Sequence, residues 1–263
     1  MEGDSPSFMH TMMNGANGGP YDHPEWGGWG GKYLPQDRSG QNQVLSDARD
    51  NVTRIDGEYH ISNQATIWRW RQAYQDEMSA RIQWTIQPNY ANGSHPPVVN
   101  VNGSCDSSPL QFTVQPGQEV VLDASGTYDP DANLSSSTVT LNTTSNTTPR
   151  RPLQFHWFQY KEPSNEPRQT SGGGVEDLNI TLSASNQTAS MRIPNARDVC
   201  YELTPSEARS KGYGVGCMAL HVLAEVTGSG SPPIRRWKRL ILEVEAPETL
   251  PERASERRKR DEL

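Results

Sequence analysis

From Val98 onward, the chain contains eight short runs in which apolar and polar residues alternate, with turn residues between them. An alternation of period two is typical of β-strands that bury one face. Seven or eight such strands over about 150 residues fit an immunoglobulin-like sandwich of two sheets. We therefore predict an all-β domain of this kind over residues 95–246. The runs are Val98–Val101, Gln111–Val114, Glu119–Leu122, Leu153–Tyr160, Asn179–Leu182, Ala189–Ile193, Ala219–Val226 and Trp237–Val244.

Three polar stretches interrupt or follow these runs. A Ser/Thr/Asn tract at about 133–150 is predicted to be a disordered insert between strands, and Ser171–Gly174 a loose loop. The charged residues 247–263 are predicted to form a disordered tail. The alternation within Leu153–Tyr160 also places Trp157 on the inward face, so this tryptophan is expected in the core.

The first 90 residues give one clear helix signal. Ala65–Ile86 contains no proline or glycine, and Pro88 follows it, which predicts a helix over about 63–87. Its apolar residues recur every three or four positions and so share one face. They are Ile67, Trp70, Tyr74, Met78, Ile82 and Ile86.

Such an apolar face needs a larger body on which to dock, and residues 1–60 are mainly loop. We therefore predict that residues 1–90 are the C-terminal remnant of an α/β domain whose front portion precedes Met1. On this view, Met1 is an internal methionine or the start of a gene model.

The stretch Pro24–Tyr33 combines two tryptophans, a tyrosine and four glycines within ten residues. Glycine disfavours a helix, and the stretch lacks the alternation of a strand, so we predict an ordered loop. Flat aromatic faces suit sugar rings, and Trp26, Trp29 and Tyr33 are therefore candidate ligand contacts. The alternative is that the tryptophans fill the surface of a core, because tryptophan is mostly buried.

Eight Asn-X-Ser/Thr sequons indicate a chain made in the secretory pathway, extracellular or in the lumen of the endoplasmic reticulum. Cysteine usage agrees, since Cys200 and Cys217 can close one loop as a disulfide and leave Cys105 over. Residues 1–20 lack the basic-then-apolar pattern of a signal peptide. The sequons lie at Asn51, Asn92, Asn102, Asn133, Asn142, Asn146, Asn179 and Asn186.

The C-terminal residues Arg260–Leu263 resemble a retrieval signal of the endoplasmic reticulum. The basic run Arg257–Arg260 before them leaves two alternatives open, a processing site or a solvated charge cluster. The net charge of −7 argues against general binding to nucleic acid. Without eighteen consecutive apolar residues, no membrane span is expected either.

Four blocks in the first part of the chain resemble the cellulose-binding family with a nucleoside-hydrolase-like domain. They are Glu2–Phe8, Asn14–Gly15, Pro24–Tyr33 and Ile67–Arg81. In that family an immunoglobulin-like C-terminal domain follows, which Gly117–Asp131 and the final pair of strands resemble. The resemblance covers most of residues 1–245 and implies a polysaccharide, such as cellulose, as the partner.

The same resemblance implies an upstream α/β half whose start carries an aspartate-rich site for calcium and ribose. This chain contains no Asp-x-Asp-x-x-x-Asp-Asp cluster, so we assign it no catalytic residue and no cofactor. Calcium is implied only for a longer form. Glu2 and Asp4 are candidates for a late contribution to a metal or ribose site, the alternative being a solvated pair.

Asp129 and Asp131 are weak candidates for calcium ligands through their carboxylate oxygens. The favoured alternative is an Asx-turn that fixes a strand end. The histidines His10 and His23 lack the spacing of a metal motif and are expected to be solvated loop residues.

The sequence thus favours the C-terminal portion of a secretory-pathway polysaccharide-binding protein that is not catalytic as this chain. A second hypothesis is an N-glycosyl hydrolase whose metal site lies in a missing N-terminal segment. A third makes the sandwich a spacer or a protein-interaction domain.

Overall fold

The computed structural model of the chain describes residues 8–16, 23–36, 44–132, 151–164 and 175–250. Several predicted features lie outside the described residues. They are Glu2 and Asp4, the insert at 133–150 with the sequons Asn133, Asn142 and Asn146, the Ser171–Gly174 loop, residues 251–263 of the tail and the Arg260–Leu263 signal.

The described residues up to position 90, which we call the N-terminal half, contain more regular structure than the sequence predicts. Two antiparallel strand pairs, β1–β2 and β3–β4, precede the predicted helix, which is broken into two segments at Arg69 and Trp70. The elements are β1 (Tyr33–Pro35), β2 (Leu45–Asp47), β3 (Asp50–Thr53), β4 (Tyr59–Ser62), α1 (Ala65–Trp68) and α2 (Arg71–Ile86). Among the described residues, none of the helices has the length and apolarity that a membrane span requires.

The C-terminal half is built mainly from strands. They are β5 (Leu110–Val114), β6 (Glu119–Asp123), β7 (Gln154–Tyr160), β8 (Ile180–Leu182), β9 (Thr188–Arg192), β10 (Cys200–Glu202), β11 (Val215–Cys217), β12 (Ala219–Thr227) and β13 (Arg235–Val244). Two short helices, α3 (Ala196–Val199) and α4 (Pro205–Lys211), flank β10. The predicted run Val98–Val101 forms only single bridges, with Tyr128 and Ser104.

Two of the sheets enclose a common apolar core. One has four strands in the order β5-β13-β12-β7, with β5 parallel to β13 and the other pairs antiparallel. The second has three antiparallel strands in the order β6-β9-β8. Trp157 lies in this core, as the alternation of its strand predicts. The core also includes Val114, Leu122, Met191, Val222 and Leu240.

The opposite face of the four-stranded sheet is covered by the N-terminal half. Tyr160, Leu223 and Trp237 of that sheet form one buried cluster with side chains from the first 80 residues. These are Ala16, Trp29, Trp70 and Ala73. The start of the helix therefore docks on the sheet of this chain, a surface that the sequence analysis did not assign to it.

Helix α2 buries a different face from the predicted one. Met78, Ile82 and Ile86 are 56%, 60% and 71% exposed, whereas Ala73, Glu77 and Ala80 are buried. Small alanines allow a helix to lie close to a sheet, so the larger apolar residues of its outer half remain in solvent. The periodicity is helical, but its interpretation as the docking face is wrong over this half.

Glu77 is buried on α2 because two arginines hold its carboxylate. Arg236 of β13 lies 2.5 Å from it, and Arg81 on the next turn of the helix lies 2.6 Å away. Burial alone would raise the pKa of Glu77, but hydrogen bonds and charge from Arg236 and Arg81 lower that pKa below its usual value. A charged residue thus fixes the rotation of the helix on the sheet.

Candidate functional site

Trp29, predicted to contact a ligand, is a core residue. It is 1% exposed, and its ring meets the ring of Trp237 edge to face at 5.8 Å and that of Tyr74 at 6.3 Å. A buried ring has no face left for a sugar, so the prediction is wrong for this residue and the core-filling alternative holds.

The glycines of the N-terminal loops approach the protein's own sheet closely. Gly15 has φ +88°, and a Cβ at this position would overlap the backbone carbonyl of Trp237. Gly27 has φ +70°, and a Cβ here would lie 2.5 Å from the Tyr160 hydroxyl. These glycines therefore allow the N-terminal loops to pack closely on the sheet.

Trp26 and Tyr33 are half-buried and engaged by neighbours. The ring of His23 stacks on Trp26 at 3.9 Å, and the Tyr33 hydroxyl donates to the carbonyl of Gly30 at 3.1 Å. Burial raises the pKa of Tyr33, and the carboxylate of Asp47 adds to that shift. One face of Trp26 is thus covered, and a ligand contact by Trp26 or Tyr33 stays a prediction.

The expectation that both histidines are solvated fails for His10. This residue is half-buried beside Tyr33, with ring centroids 5.7 Å apart. Burial lowers the pKa of His10 below its usual value. His23 keeps 38% of its side chain exposed and pairs with Glu25 at 2.7 Å.

A buried group of charged residues lies between the N-terminal half and the end of β7. Asp50 is fully buried, and Lys32 Nζ lies 2.5 Å from its Oδ1. Arg69 Nη1 lies 3.1 Å from Asp50 Oδ2, to which the Tyr160 hydroxyl donates at 2.8 Å. Burial, then the charge of Asp50, raises the pKa of Tyr160 well above its ordinary value, so its proton stays in place to donate.

Arg69 joins this group to a second carboxylate. Its two Nη atoms each donate to one oxygen of Glu162 at 3.1 Å, a two-pronged arrangement suited to a guanidinium and a carboxylate. Its guanidinium carbon also lies 4.3 Å from the centre of the Tyr160 ring. Arg69 occupies the break between α1 and α2, so the helix break positions its side chain.

A second buried arginine ties two loops to the sheet. Arg239 donates to the carbonyls of Ala16 at 2.8 Å and Gly27 at 2.7 Å, and burial lowers its pKa to about 10. Its Nη1 lies 3.1 Å from Nδ1 of His221. Burial, then the charge of Arg239, lowers the pKa of His221 well below its ordinary value, so this histidine is a neutral acceptor at neutral pH.

Two open clefts flank the β3–β4 hairpin, and Arg69 borders both of them. The first has a volume of about 630 Å³ and is lined by Val52, Thr53, Arg54, Ile55, His60, Trp68 and Arg69. The second, of about 550 Å³, is lined by residues that include Asn51, Tyr59, Arg69, Phe158, Lys161, Glu162 and Asp177. We call these two clefts together the hairpin groove.

The hairpin groove displays aromatic rings beside polar groups. Trp68 is 45% exposed, with its ring nearly parallel to that of His60 at 6.0 Å, and Tyr59 is 76% exposed. Flat apolar faces bordered by hydrogen-bonding groups suit a sugar ring, whose faces are apolar and whose rim carries hydroxyls. The sequence analysis missed this hairpin, although Asp56-Gly57 between two β-rich runs is a hairpin signal.

Asp129 and Asp131 form a turn that holds the segment around His95 in place. Asp129 accepts from the amide of Asp131 at 2.8 Å, as in an Asx-turn, and from that of Ser229 at 2.7 Å. Asp131 accepts from the amide of His95 at 2.8 Å and lies 2.7 Å from its Nδ1. The hydrogen bond from Asp131 to Asp129 is that of the Asx-turn that the sequence analysis gave as the alternative to calcium ligands. Across the ranges that the structure describes, no three His, Cys, Asp or Glu side chains come together as a possible metal site.

Cys200 and Cys217 form a disulfide with an S–S distance of 2.01 Å, while Cys105 is exposed and free. The bridge joins β10 to β11, which pair antiparallel with these two cysteines opposite each other. The disulfide thus links the two ends of the chain segment that contains α4.

Comparisons with known proteins give one matching family model and a similar solved structure. Residues 138–244 match the family model described as the C-terminal domain of the cellulose-binding protein Sde0182. The resemblance to this family is confirmed. A solved structure, that of a nucleoside hydrolase-related protein from Saccharophagus degradans associated with carbohydrate metabolism, is similar over 93% of this chain, with 26% identity and a TM-score of 0.59. This chain spans about half of that protein, 48% of its length, and no curated protein matches the chain.

The exposure of the described sequons predicts which asparagines carry glycans. Asn102, Asn179 and Asn186 are exposed, whereas Asn51 is half-buried with its side-chain oxygen enclosed beside the hairpin groove. We expect peptide mapping by mass spectrometry, after expression in a secretory host, to find glycan at Asn179 and Asn186 and none at Asn51. Full occupancy of Asn51 in folded protein would contradict the hairpin as described.

Proposed function

We propose that this chain is the C-terminal portion of a secretory-pathway, cellulose-binding protein, and that the hairpin groove contacts the polysaccharide. The match of residues 138–244 to the cellulose-binding family supports the ligand class. The observation that carries the site is the exposed Trp68 ring beside His60. We also propose that residues 95–246 are immunoglobulin-like, which two sheets around one core support.

The groove is held rigidly at its base. Arg69, at the break between the helices, donates to Glu162 after β7 and pairs with Asp50 at the start of β3. These contacts connect the hairpin to the helix and to the four-stranded sheet. A site whose framework is fixed before binding loses less conformational entropy when the ligand arrives. Trp68 lies next to Arg69 in the chain and shares this support.

The carboxylates at the base of the groove support binding without chemistry. Asp50 is fully buried between Lys32 and Arg69, and Glu162 has 7% of its side chain exposed and both oxygens on Arg69. A general acid or base must lie within reach of the substrate, whereas these two carboxylates are buried and face Lys32 and Arg69. We therefore propose that these two carboxylates have a structural role.

Retention on microcrystalline cellulose tests the proposal. The parent chain is expected to be retained, and Trp68→Ala is expected to weaken retention about tenfold, which corresponds to about 1.4 kcal/mol. Tyr128→Ala is the matched control, because Tyr128 is also an exposed aromatic residue and lies outside the groove. Equal retention of the parent and Trp68→Ala would refute the assignment of the groove.

A second candidate function is part of an N-glycosyl hydrolase whose metal site lies in an upstream segment. The exposed residues Met78, Ile82 and Ile86 on α2 favour this candidate, because they form an apolar face that an additional domain could cover. Reading the genomic sequence upstream of Met1 tests it. An in-frame segment with an aspartate cluster supports the hydrolase, and a stop codon directly upstream contradicts it.

A further inference from the structure

A third cleft, of about 660 Å³, lies between the disulfide-linked β10–β11 pair and the end of β13. It shares no lining residue with the hairpin groove. Its β10–β11 side lies within residues 138–244, the range that matches the cellulose-binding family. The lining residues that bear on its chemistry are Tyr201, Lys211, Gly212, Tyr213, Gly214 and Glu248.

The wall that carries Tyr213 is fixed at several points. The disulfide links the two ends of the segment between Cys200 and Cys217. Thr204 caps the N-terminus of α4, and the Glu207 side chain accepts a hydrogen bond from the backbone amide of Thr204. Gly212 ends α4 in the left-handed conformation, with φ +80°, which glycine adopts without strain. Tyr213 follows directly, so its position is set before any ligand binds.

Two tyrosine rings and accessible peptide groups line this cleft. Tyr213 is 53% exposed, and Tyr201 packs on Gly216, where an added Cβ would lie 3.2 Å from the Tyr201 ring. At Gly212 and Gly214, no atom of the described residues lies within 4 Å of the position that a Cβ would take. A ligand can therefore stack on an aromatic face and still reach the peptide groups beside it.

The charges at the cleft balance each other. Lys211 and Glu248 are both exposed and contribute one positive and one negative charge. A cleft of this kind does not select an anion or a cation, and its aromatic faces favour a ring with apolar C–H faces. The ligand class that fits is a neutral oligosaccharide.

We infer that the cleft between Tyr201 and Tyr213 is a second sugar subsite, separate from the hairpin groove, that binds a neutral oligosaccharide. The ligand class rests on the proposed function, whereas the site rests on the geometry of the cleft. Two separate contacts on one chain raise the effective concentration of a polymer at each site, which strengthens retention on an insoluble glycan.

Titration with soluble cellohexaose, followed by calorimetry or by ligand-observed NMR, tests the inference. We expect Tyr213→Ala to weaken binding at this site about tenfold and Trp68→Ala to leave it unchanged. Tyr128→Ala is the matched control, because Tyr128 is also exposed, at 57%, and lies outside the clefts described above. A thermal midpoint equal to that of the parent shows that Tyr213→Ala remains folded.

Two results would overturn the inference. In the first, Tyr213→Ala binds cellohexaose as tightly as Tyr128→Ala. In the second, the parent chain does not bind cellohexaose at all. The proposed function fails by a different result, equal retention of the parent and Trp68→Ala on insoluble cellulose, so the two failures are distinguishable.

Discussion

Replacing Asp50 with asparagine is expected to lower the free energy of unfolding by about 3–5 kcal/mol, the usual cost of removing one partner from a buried ion pair. Asp50 is fully buried and lies within 3.1 Å of both Lys32 and Arg69. Without the charge of Asp50, Arg69 still contacts Glu162, whereas the remaining hydrogen bond of Lys32 within the described ranges is to the carbonyl of Arg49 at 3.3 Å. The substitution nearly preserves volume, so it removes charge and leaves the packing in place.

Urea unfolding followed by circular dichroism measures this effect, and Asp56→Asn is its matched control. Asp56 pairs with Arg54 at 3.4 Å, but both side chains are about half exposed, at 46% and 56%. An exposed pair of this kind contributes less than about 1 kcal/mol. If Asp50→Asn and Asp56→Asn unfold at the same urea concentration, the buried charge group does not stabilise the fold as described.

Trp29→Ala is expected to destabilise the chain by about 3–5 kcal/mol, the range found when a buried aromatic side chain is removed. Trp29 lies at the centre of the cluster between the N-terminal half and the four-stranded sheet, in contact with Trp237 and Tyr74. Its loss leaves a cavity between the two halves of the protein. Thermal unfolding is expected to show a lower midpoint for the whole chain in a single transition.

Trp26→Ala is the comparison for this prediction, because Trp26 is in the same loop and has the same side chain. Trp26 is half-buried and contacts His23 and His221, so its loss removes less buried apolar surface. We expect a clearly smaller shift of the midpoint. Equal shifts for the two variants would place Trp29 at the surface and restore it as a candidate ligand contact.

The strands of the second half follow from the sequence more closely than any other part. The alternation predicts a strand over Leu153–Tyr160, and the structure has one over Gln154–Tyr160 with Trp157 in the core. The pairing of Cys200 with Cys217 also follows, because their short separation suits the closure of one loop. Local patterns suffice in these cases, since each strand has one buried face.

The burial of charged residues could not be predicted from local patterns. Lys32, Asp50 and Arg69 are far apart in the sequence and of types that are usually exposed, yet they meet under the hairpin. Only the tertiary fold brings these opposite charges together. The face of α2 was missed for the same reason, because Arg236, more than 150 residues away, makes burial of Glu77 favourable.

The hairpin groove could not be predicted from aromatic content, because the most aromatic stretch of the sequence lies elsewhere. In Pro24–Tyr33, the structure uses Trp29 and Gly27 for packing on the sheet. The groove instead combines Tyr59, His60 and Trp68, which come from a hairpin and from the helix that follows it. Their positions in the fold depend on a turn and a helix break that the periodicity of apolar residues does not predict.

Hydrogen exchange of the whole chain, with and without cellohexaose, tests the central claim most directly, because it locates the bound sugar along the backbone. The account predicts slower exchange in residues 51–69 and 157–162 when the sugar is present, and loss of that protection in Trp68→Ala. Protection confined to residues 26–33, with none around the hairpin, would contradict it.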